Sequence, residues 1–266
     1  MLETYSKLFN TKRIDYWWVE PFLTAFGFLC FVVYTTWRAF SGLDFVVENY
    51  LSPFYSPLLF HLPNDVTGHS WFGLWPDAIP GWVPKSPALF ILIFPLSFRM
   101  TCYYYRKFYY RSFFLTPPAC AVQGVTRKNY KGETGLLILQ NIHRYTLYIA
   151  ILYIFILYYD GYISLFRDNE FGIGVGSIIL IMNPTLLAFY AFGCHAFRHL
   201  IGGKEDCFSC PASGQEKINH KLWKKVSILN SQHMLWAWVS MIWVALTDLY
   251  IMLVSKGIII DYNTWG

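Results

Sequence analysis

The stretch Gly193-Cys194-His195-Ala196-Phe197-Arg198-His199 sets a thiol, two imidazoles and a guanidinium at the end of a long apolar run. Such groups are costly at the edge of a bilayer, so their default reading is function. His195 and His199 are spaced i,i+4 and share one helical face, whereas Cys194 points about 100° away from His195. One helix therefore cannot supply a whole site, and any centre here must draw residues from other segments. The bland alternative is a pair of interfacial histidines bonded to headgroups or to a neighbouring loop.

The elements that would position such a site follow from composition. Of the 266 residues 55% are hydrophobic and 14% charged, and the mean hydropathy is +0.35, which excludes an ordinary soluble domain. Apolar runs at about 21–40, 88–107, 136–160, 173–199 and 229–255 predict an all-α bundle of five membrane spans forming one domain over residues 1–266. The Pro-, Gly- and Trp-rich segment 41–87 reads as a folded outer loop, because disordered segments are poor in such aromatics. Asn183-Pro184 predicts a kink in the fourth span, and the segments 106–133 and 202–227 read as polar, basic loops. Cys30, in mid-span, reads as a small buried hydrophobe.

Charge fixes the expected orientation. Fifteen of the 21 lysines and arginines fall on the side of the N-terminus and the two basic loops, which places a multi-pass chain in the cytoplasmic membrane with its N-terminus cytoplasmic and its C-terminus on the outer side. The net charge of +5 thus reports topology, and no nucleic-acid partner is expected. Near the outer ends of their spans, Asp248 and Asp160 read as partners for Arg38 or for water.

With sides assigned, depths can be compared. Counted inward from the cytoplasmic ends, Cys102, His143, Cys194 and His233 each lie roughly 6–8 Å deep at 1.5 Å per residue. Four spans thus offer one thiol or imidazole each at a common level, which points to a shared metal centre, with His195, His199 and Cys120 in reserve. Bis-histidine haem b could use His143 with His233 or His195 but leaves the thiols without a role. Two Cys with two His is the ligand set of a Rieske-type [2Fe–2S] cluster, and also of zinc, which does not explain a site buried in a bilayer. A di-iron desaturase centre needs more histidines than the seven present. Arg99, i,i+3 from Cys102, could offset the negative charge of a thiolate-bound centre.

The run Phe98-Arg99-Met100-Thr101-Cys102-Tyr103-Tyr104-Tyr105-Arg106-Lys107 resembles the single-subunit membrane anchor of one class of succinate dehydrogenases. So do Pro118-Ala119-Cys120, Gly132-Glu133-Thr134, Leu139-Gln140-Asn141-Ile142-His143-Arg144-Tyr145, Cys194-His195 with Arg198-His199, and Thr247-Asp248-Leu249-Tyr250-Ile251-Met252. The resemblance implies a five-helix subunit that docks the flavoprotein and iron–sulfur subunits, and a membrane-embedded Rieske-type cluster that passes electrons to ubiquinone or menaquinone. Cys207-Phe208-Ser209-Cys210 is outside that pattern. For a quinone head, donors at the right level are Tyr103, Arg106, Arg144, Arg198, His199, Ser227 and Trp236, all residue types that also serve as interfacial anchors. A haem-carrying anchor, or a structural or transport protein in which the matched Cys and His merely pack, stays open at this point.

Overall fold

The computed structural model describes residues 13–61, 70–124, 135–203 and 214–265. Cys207 and Cys210 lie outside these described residues, as do Lys7, Lys12, Arg127, Lys128, Lys131 and Lys204. The chain is mostly helical. Helix α1, Val19–Ser41, ends at Gly42 in the left-handed conformation (φ 59°), and buries only Pro21, Arg38 and Ala39. Gly42 suits the stop because a Cβ there would also meet the Lys85 carbonyl oxygen at 3.0 Å. Cys30 is exposed on this helix, facing outward from the bundle instead of into it as expected.

The segment after α1 is folded. A two-stranded hairpin, β1 (Val46–Val47) with β2 (Tyr50–Leu51), leads into a cluster of Phe45, Phe54, Tyr55 and Leu58 packed on Ala39 and Ala88. The expected ion pair is present: the Arg38 guanidinium donates to both Asp248 carboxylate oxygens at 2.7 and 3.1 Å, with both side chains essentially inaccessible. Asp160 accepts from the Ser56 hydroxyl.

The run 88–107 is not one straight helix. It comprises α2 (Ala88–Ile91), α3 (Ile93–Thr101) and α4 (Tyr103–Phe108), which continues as a π-helix over Tyr109–Phe113. The first interruption has a local cause, since Pro95 has no N–H to offer the Ile91 carbonyl; Tyr153 takes it instead through its hydroxyl at 3.3 Å. The second falls at Cys102, whose backbone is extended (φ −69°, ψ 130°), and the axis bends there by 71°.

Helix α5, Leu136–Ile163, follows, then the hairpin β3 (Phe166–Arg167) with β4 (Glu170–Phe171). Helix α6, Val175–Phe192, runs through Pro184 without a break; the interruption comes instead at Gly193-Cys194, before α7 (His195–Gly202). The basic segment 202–227 is in large part helical, as α8, Gly214–Ser231, so the last span begins as α9 at His233, not at Leu229, and runs to Ser255. At the C-terminus Asp261 accepts from the Gly176 amide at 2.9 Å and from the Tyr50 and Tyr250 hydroxyls at 2.7 and 2.6 Å, tying the tail and the β1–β2 hairpin to the start of α6.

Helices α1, α5, α6 and α9 are long and apolar enough to cross a membrane, and the bent pair Ala88–Thr101 with Tyr103–Phe113 makes a fifth crossing if it acts as one span. The core lies where α3, α5, α6 and α9 meet, around Phe98, Tyr105, Leu147, Ile154, Tyr190, Ala191, Ala237 and Met241. Cys102 belongs to that core.

Candidate functional site

Two of the helix interruptions in the transmembrane part fall on cysteines. Cys102 and Cys194 have nearly the same extended backbone (φ −69°, ψ 130° and φ −67°, ψ 144°), and each precedes the first residue of a new helix. The Cys194 sulfur accepts the Ala196 N–H at 3.4 Å, and the Cys102 sulfur faces the amides of Tyr104 and Tyr105. A thiol at a helix N-terminus meets unsatisfied N–H groups that favour a thiolate, while burial in an apolar core opposes the bare charge.

Each break also redirects a hydrogen bond. The Cys102 amide donates to Arg99 and the Cys194 amide to Ala191, both at 3.2 Å, three residues back, so the carbonyl four residues back loses its backbone partner. That carbonyl belongs to Phe98 in one case and Tyr190 in the other, and each faces a histidine: Phe98 faces His143, and Tyr190 faces His233. The same two aromatics lie flat on the same two imidazoles. Phe98 stacks on His143 with centroids 4.7 Å apart and planes at 5°; Tyr190 stacks on His233 at 5.0 Å and 17°.

The remaining imidazole nitrogens point at sulfur. His143 Nε2 lies 2.9 Å from Cys194 Sγ, and His233 Nε2 lies 3.7 Å from Cys102 Sγ. His143 Nδ1 is held by the Thr101 hydroxyl at 2.9 Å, while His233 Nδ1 is buried without a hydrogen-bond partner. All four side chains are buried, none more than 7% exposed. The four residues that sequence depth singled out are thus brought together as two thiol–imidazole pairs, one joining the second and fifth spans and the other the third and fourth. Among the described residues no group of three or more His, Cys, Asp or Glu side chains converges as a mononuclear metal site would require.

The reserve ligands are elsewhere. Cys120 is exposed, and its carbonyl accepts from Arg13 at 2.9 Å. His195 and His199 share a face as their spacing required, rings 5.8 Å apart, but both are exposed. The candidate quinone donors do not form one cluster. Tyr103 is 57% exposed and Arg144 is exposed as well. Arg106 is buried and donates to the Thr101 carbonyl. Arg198 lies over the Trp223 ring at 4.4 Å, and the Ser227 hydroxyl donates to the Trp223 carbonyl at 2.7 Å, so these two share the α7–α8 contact. The Trp236 indole packs on Phe189 at 4.9 Å, its N–H buried and without an acceptor.

Sequence reasoning passed over Phe98, Tyr190 and Thr101, which surround the four central residues. The signal was an aromatic residue four positions before each deep cysteine, Phe98 before Cys102 and Tyr190 before Cys194.

Residues 19–257 match a protein-family model described as the actinobacterial succinate dehydrogenase subunit SdhC. Among solved structures, a chain of the Mycobacterium smegmatis Sdh1 complex in the apo form is 41% identical, with 96% of this chain and 94% of that chain covered and a TM-score of 0.84. Comparison with curated proteins gives no match.

Proposed function

Since the chain belongs to the actinobacterial SdhC family of succinate dehydrogenase membrane subunits, we propose that its buried Cys–His group binds a Rieske-type [2Fe–2S] cluster serving electron transfer to a membrane quinone. The chain is an anchor subunit of succinate dehydrogenase, an enzyme complex with flavoprotein and iron–sulfur subunits, and succinate is oxidised on those partners. The bundle is a multi-pass membrane element, and we read it as five spans with the N-terminus cytoplasmic, on the charge asymmetry given above.

One observation carries the cluster: Cys102, His143, Cys194 and His233 are buried together, with each Nε2 directed at a sulfur. Two thiolates and two neutral imidazoles are the Rieske donor set, and the residues present fit it. A binuclear centre asks for two donors on each iron, in keeping with four donors that do not converge on one point. The contacts found here join thiol to imidazole, whereas Rieske ligation groups like with like, so the support lies in donor type and placement, not in preset pairs. One histidine is also held from outside by a hydrogen bond. Thr101 holds His143 Nδ1 and leaves Nε2 to ligate, as an outer hydrogen bond does for metal-binding histidines. When bound, such a cluster supplies one-electron transfer at a potential above that of all-thiolate clusters.

The haem b alternative needs the two imidazoles to face one another across a macrocycle. Here each Nε2 meets a sulfur instead, and Phe98 and Tyr190 cover the ring faces. For the quinone, ubiquinone or menaquinone, we keep Tyr103, Arg106, Arg144, Arg198, His199, Ser227 and Trp236 as donors. Trp236 and Arg198 lead the set, since each holds a buried N–H without an acceptor.

The test is spectroscopic, on the complex purified through this subunit. A Rieske electron paramagnetic resonance signal, beyond the signals of the soluble partners, is expected. A Soret band in its place would assign haem, and the absence of both would reduce the four residues to a polar packing core.

A further inference from the structure

The two halves of the site are near-repeats, and the places where they differ are informative. Phe98 and Cys102 recur as Tyr190 and Cys194, each cysteine opens a helix break, and each aromatic stacks on a histidine of the following span. At the position after the aromatic, however, one half has Arg99 where the other has Ala191. The aromatic itself differs by one hydroxyl. Tyr190 is fully buried and turns that hydroxyl toward the Cys102 thiol without reaching any hydrogen-bond partner. Behind its ring, at 5.0 Å from the centroid, lies the Arg99 guanidinium.

Arg99 has no carboxylate partner among the described residues. It donates to the Tyr105 hydroxyl, to the Ala237 carbonyl at 3.2 Å and to Ser240 Oγ at 3.1 Å, all neutral acceptors. Arg99 is half-buried, and an arginine held within a span by neutral groups alone is stabilised by any negative charge that arises nearby. Cys102 follows Arg99 by three residues, and Tyr190 links them, with its ring against the guanidinium and its hydroxyl toward the thiol.

Building on the metal-centre reading above, we propose that Tyr190 and Arg99 are positioning residues that favour the reduced state of that centre through the Cys102 sulfur. Two ferric ions, two sulfides, two thiolates and two neutral imidazoles sum to zero charge. The electron delivered by the iron–sulfur partner leaves one net negative charge, with no bond made or broken. A hydroxyl donating to the sulfur and a cation behind it both stabilise the charged state more than the neutral one, and hydrogen bonds to cluster sulfurs are a recognised determinant of potential. The Cys194 half has neither, so the two thiolates are inequivalent despite their matching backbones.

The experiment is a redox titration of the intact complex followed by the cluster's paramagnetic signal. Tyr190→Phe and Arg99→Met are each expected to lower the midpoint by about 59 mV or more, a tenfold change in a one-electron equilibrium. Arg99→Lys, which keeps the charge, should shift it by less than half as much as Arg99→Met. Unchanged midpoints in Tyr190→Phe and Arg99→Met, at native iron content, would overturn the proposal and leave the metal-centre reading standing. A native complex without the signal would overturn both. If Arg99→Met does not assemble, Tyr190→Phe, which removes a single oxygen atom, decides alone.

Discussion

Replacing Asp248 by Ala tests how the outer half of the bundle is held. The carboxylate accepts from Arg38 at 2.7 and 3.1 Å, from the Tyr34 hydroxyl at 2.5 Å and from Ser52 Oγ at 2.5 Å. Arg38 is 1% exposed and Asp248 fully buried, so solvent screening does not weaken the pair. Removing one partner of a buried ion pair costs about 3–5 kcal/mol, because the charge left behind is unpaired. Arg38 retains the Leu43 and Asp44 carbonyls at 2.9 and 3.2 Å, which argues for the lower end of that range. Two orphaned neutral hydroxyls add about 1–3 kcal/mol each if they find no new acceptor. A loss of roughly 5 kcal/mol, about 3 for the ion pair and about 1 for each hydroxyl, is therefore expected, equivalent to a fall of about 10–20 °C in Tm for a chain of this size. The consequence is local as well, since α1 buries only three residues and this pair fastens its outer end to α9. The assay is thermal unfolding of the detergent-solubilised complex, repeated for Arg38→Met and for the double variant Arg38→Met with Asp248→Leu. Removing both charges should cost less than the two single losses combined, by about 2 kcal/mol or more, as expected for coupled neighbours. A melting temperature within about 3 °C of wild type for Asp248→Ala, under about 1 kcal/mol, would refute the reasoning. So would strict additivity.

Changing His143 and His233 together to Ala should abolish quinone reduction while the soluble subunits still reduce an artificial dye; a Rieske signal retained in that variant sinks the ligand assignment. Burial, with Asp261 beside it, raises the Tyr50 phenol from its ordinary 10 to about 12. A phenol protonated in the fold contributes stability that is complete below pH 10 and is lost as pH rises towards 12. The Tyr50→Phe protein should therefore show a flatter decline of melting temperature between pH 10 and 12 than wild type, and parallel declines would contradict this. Because the four central residues lie toward one end of the spans, electrons and protons should enter from one side. Succinate–quinone turnover in sealed vesicles should then avoid most of the roughly 2.3 kcal/mol per charge per 100 mV that full crossing entails. Clear stimulation by an uncoupler, at constant quinone supply, would show that charge does cross.

The spans, the folded outer segment and the Arg38–Asp248 pair were legible because each rests on a strong, local signal: long apolar runs, aromatic-rich loops, or a charge placed where only another charge suits it. The common level of Cys102, His143, Cys194 and His233 was legible too, since the rise per residue converts sequence distance into depth. The break at Cys102 was not. Thr101-Cys102-Tyr103 contains neither Pro nor Gly, and what offsets the lost helical bonds is tertiary, with Thr101 reaching His143 and the Phe98 carbonyl facing the same ring. Pro184, where a kink was expected, lies inside the continuous helix α6. Helix α8 was read as a loop because its charges dominate. Its apolar residues nevertheless recur at helical spacing, Ile218, Leu222, Val226 and Leu229, with Val226 buried and Trp223 close against Gly202. Cys30 shows the limit of depth as a guide. Position along a span says nothing about which way a side chain faces.

The two ends of the bundle treat buried polar groups differently, and the difference locates the chemistry. At the outer end Asp248 and Asp261 each collect three partner side chains or amides, and they are saturated. Lone unsatisfied atoms there belong to Asn49 and Arg167, which are otherwise bonded, and to the Ser86 hydroxyl. At the other end the Tyr190 hydroxyl, His233 Nδ1, Trp236 Nε1 and Arg198 Nε are buried without partners, on α6, α9 and α7. A buried polar atom left unpaired costs about 1–3 kcal/mol, and native proteins keep few of them unless a ligand, ion or redox group supplies the missing bond. Stability alone would have replaced that indole with Phe and that phenol with the Phe found at its counterpart, position 98. On the function proposed above, these unpaired atoms lie beside Cys102, His143, Cys194 and His233, and cofactor and quinone would complete their hydrogen bonding.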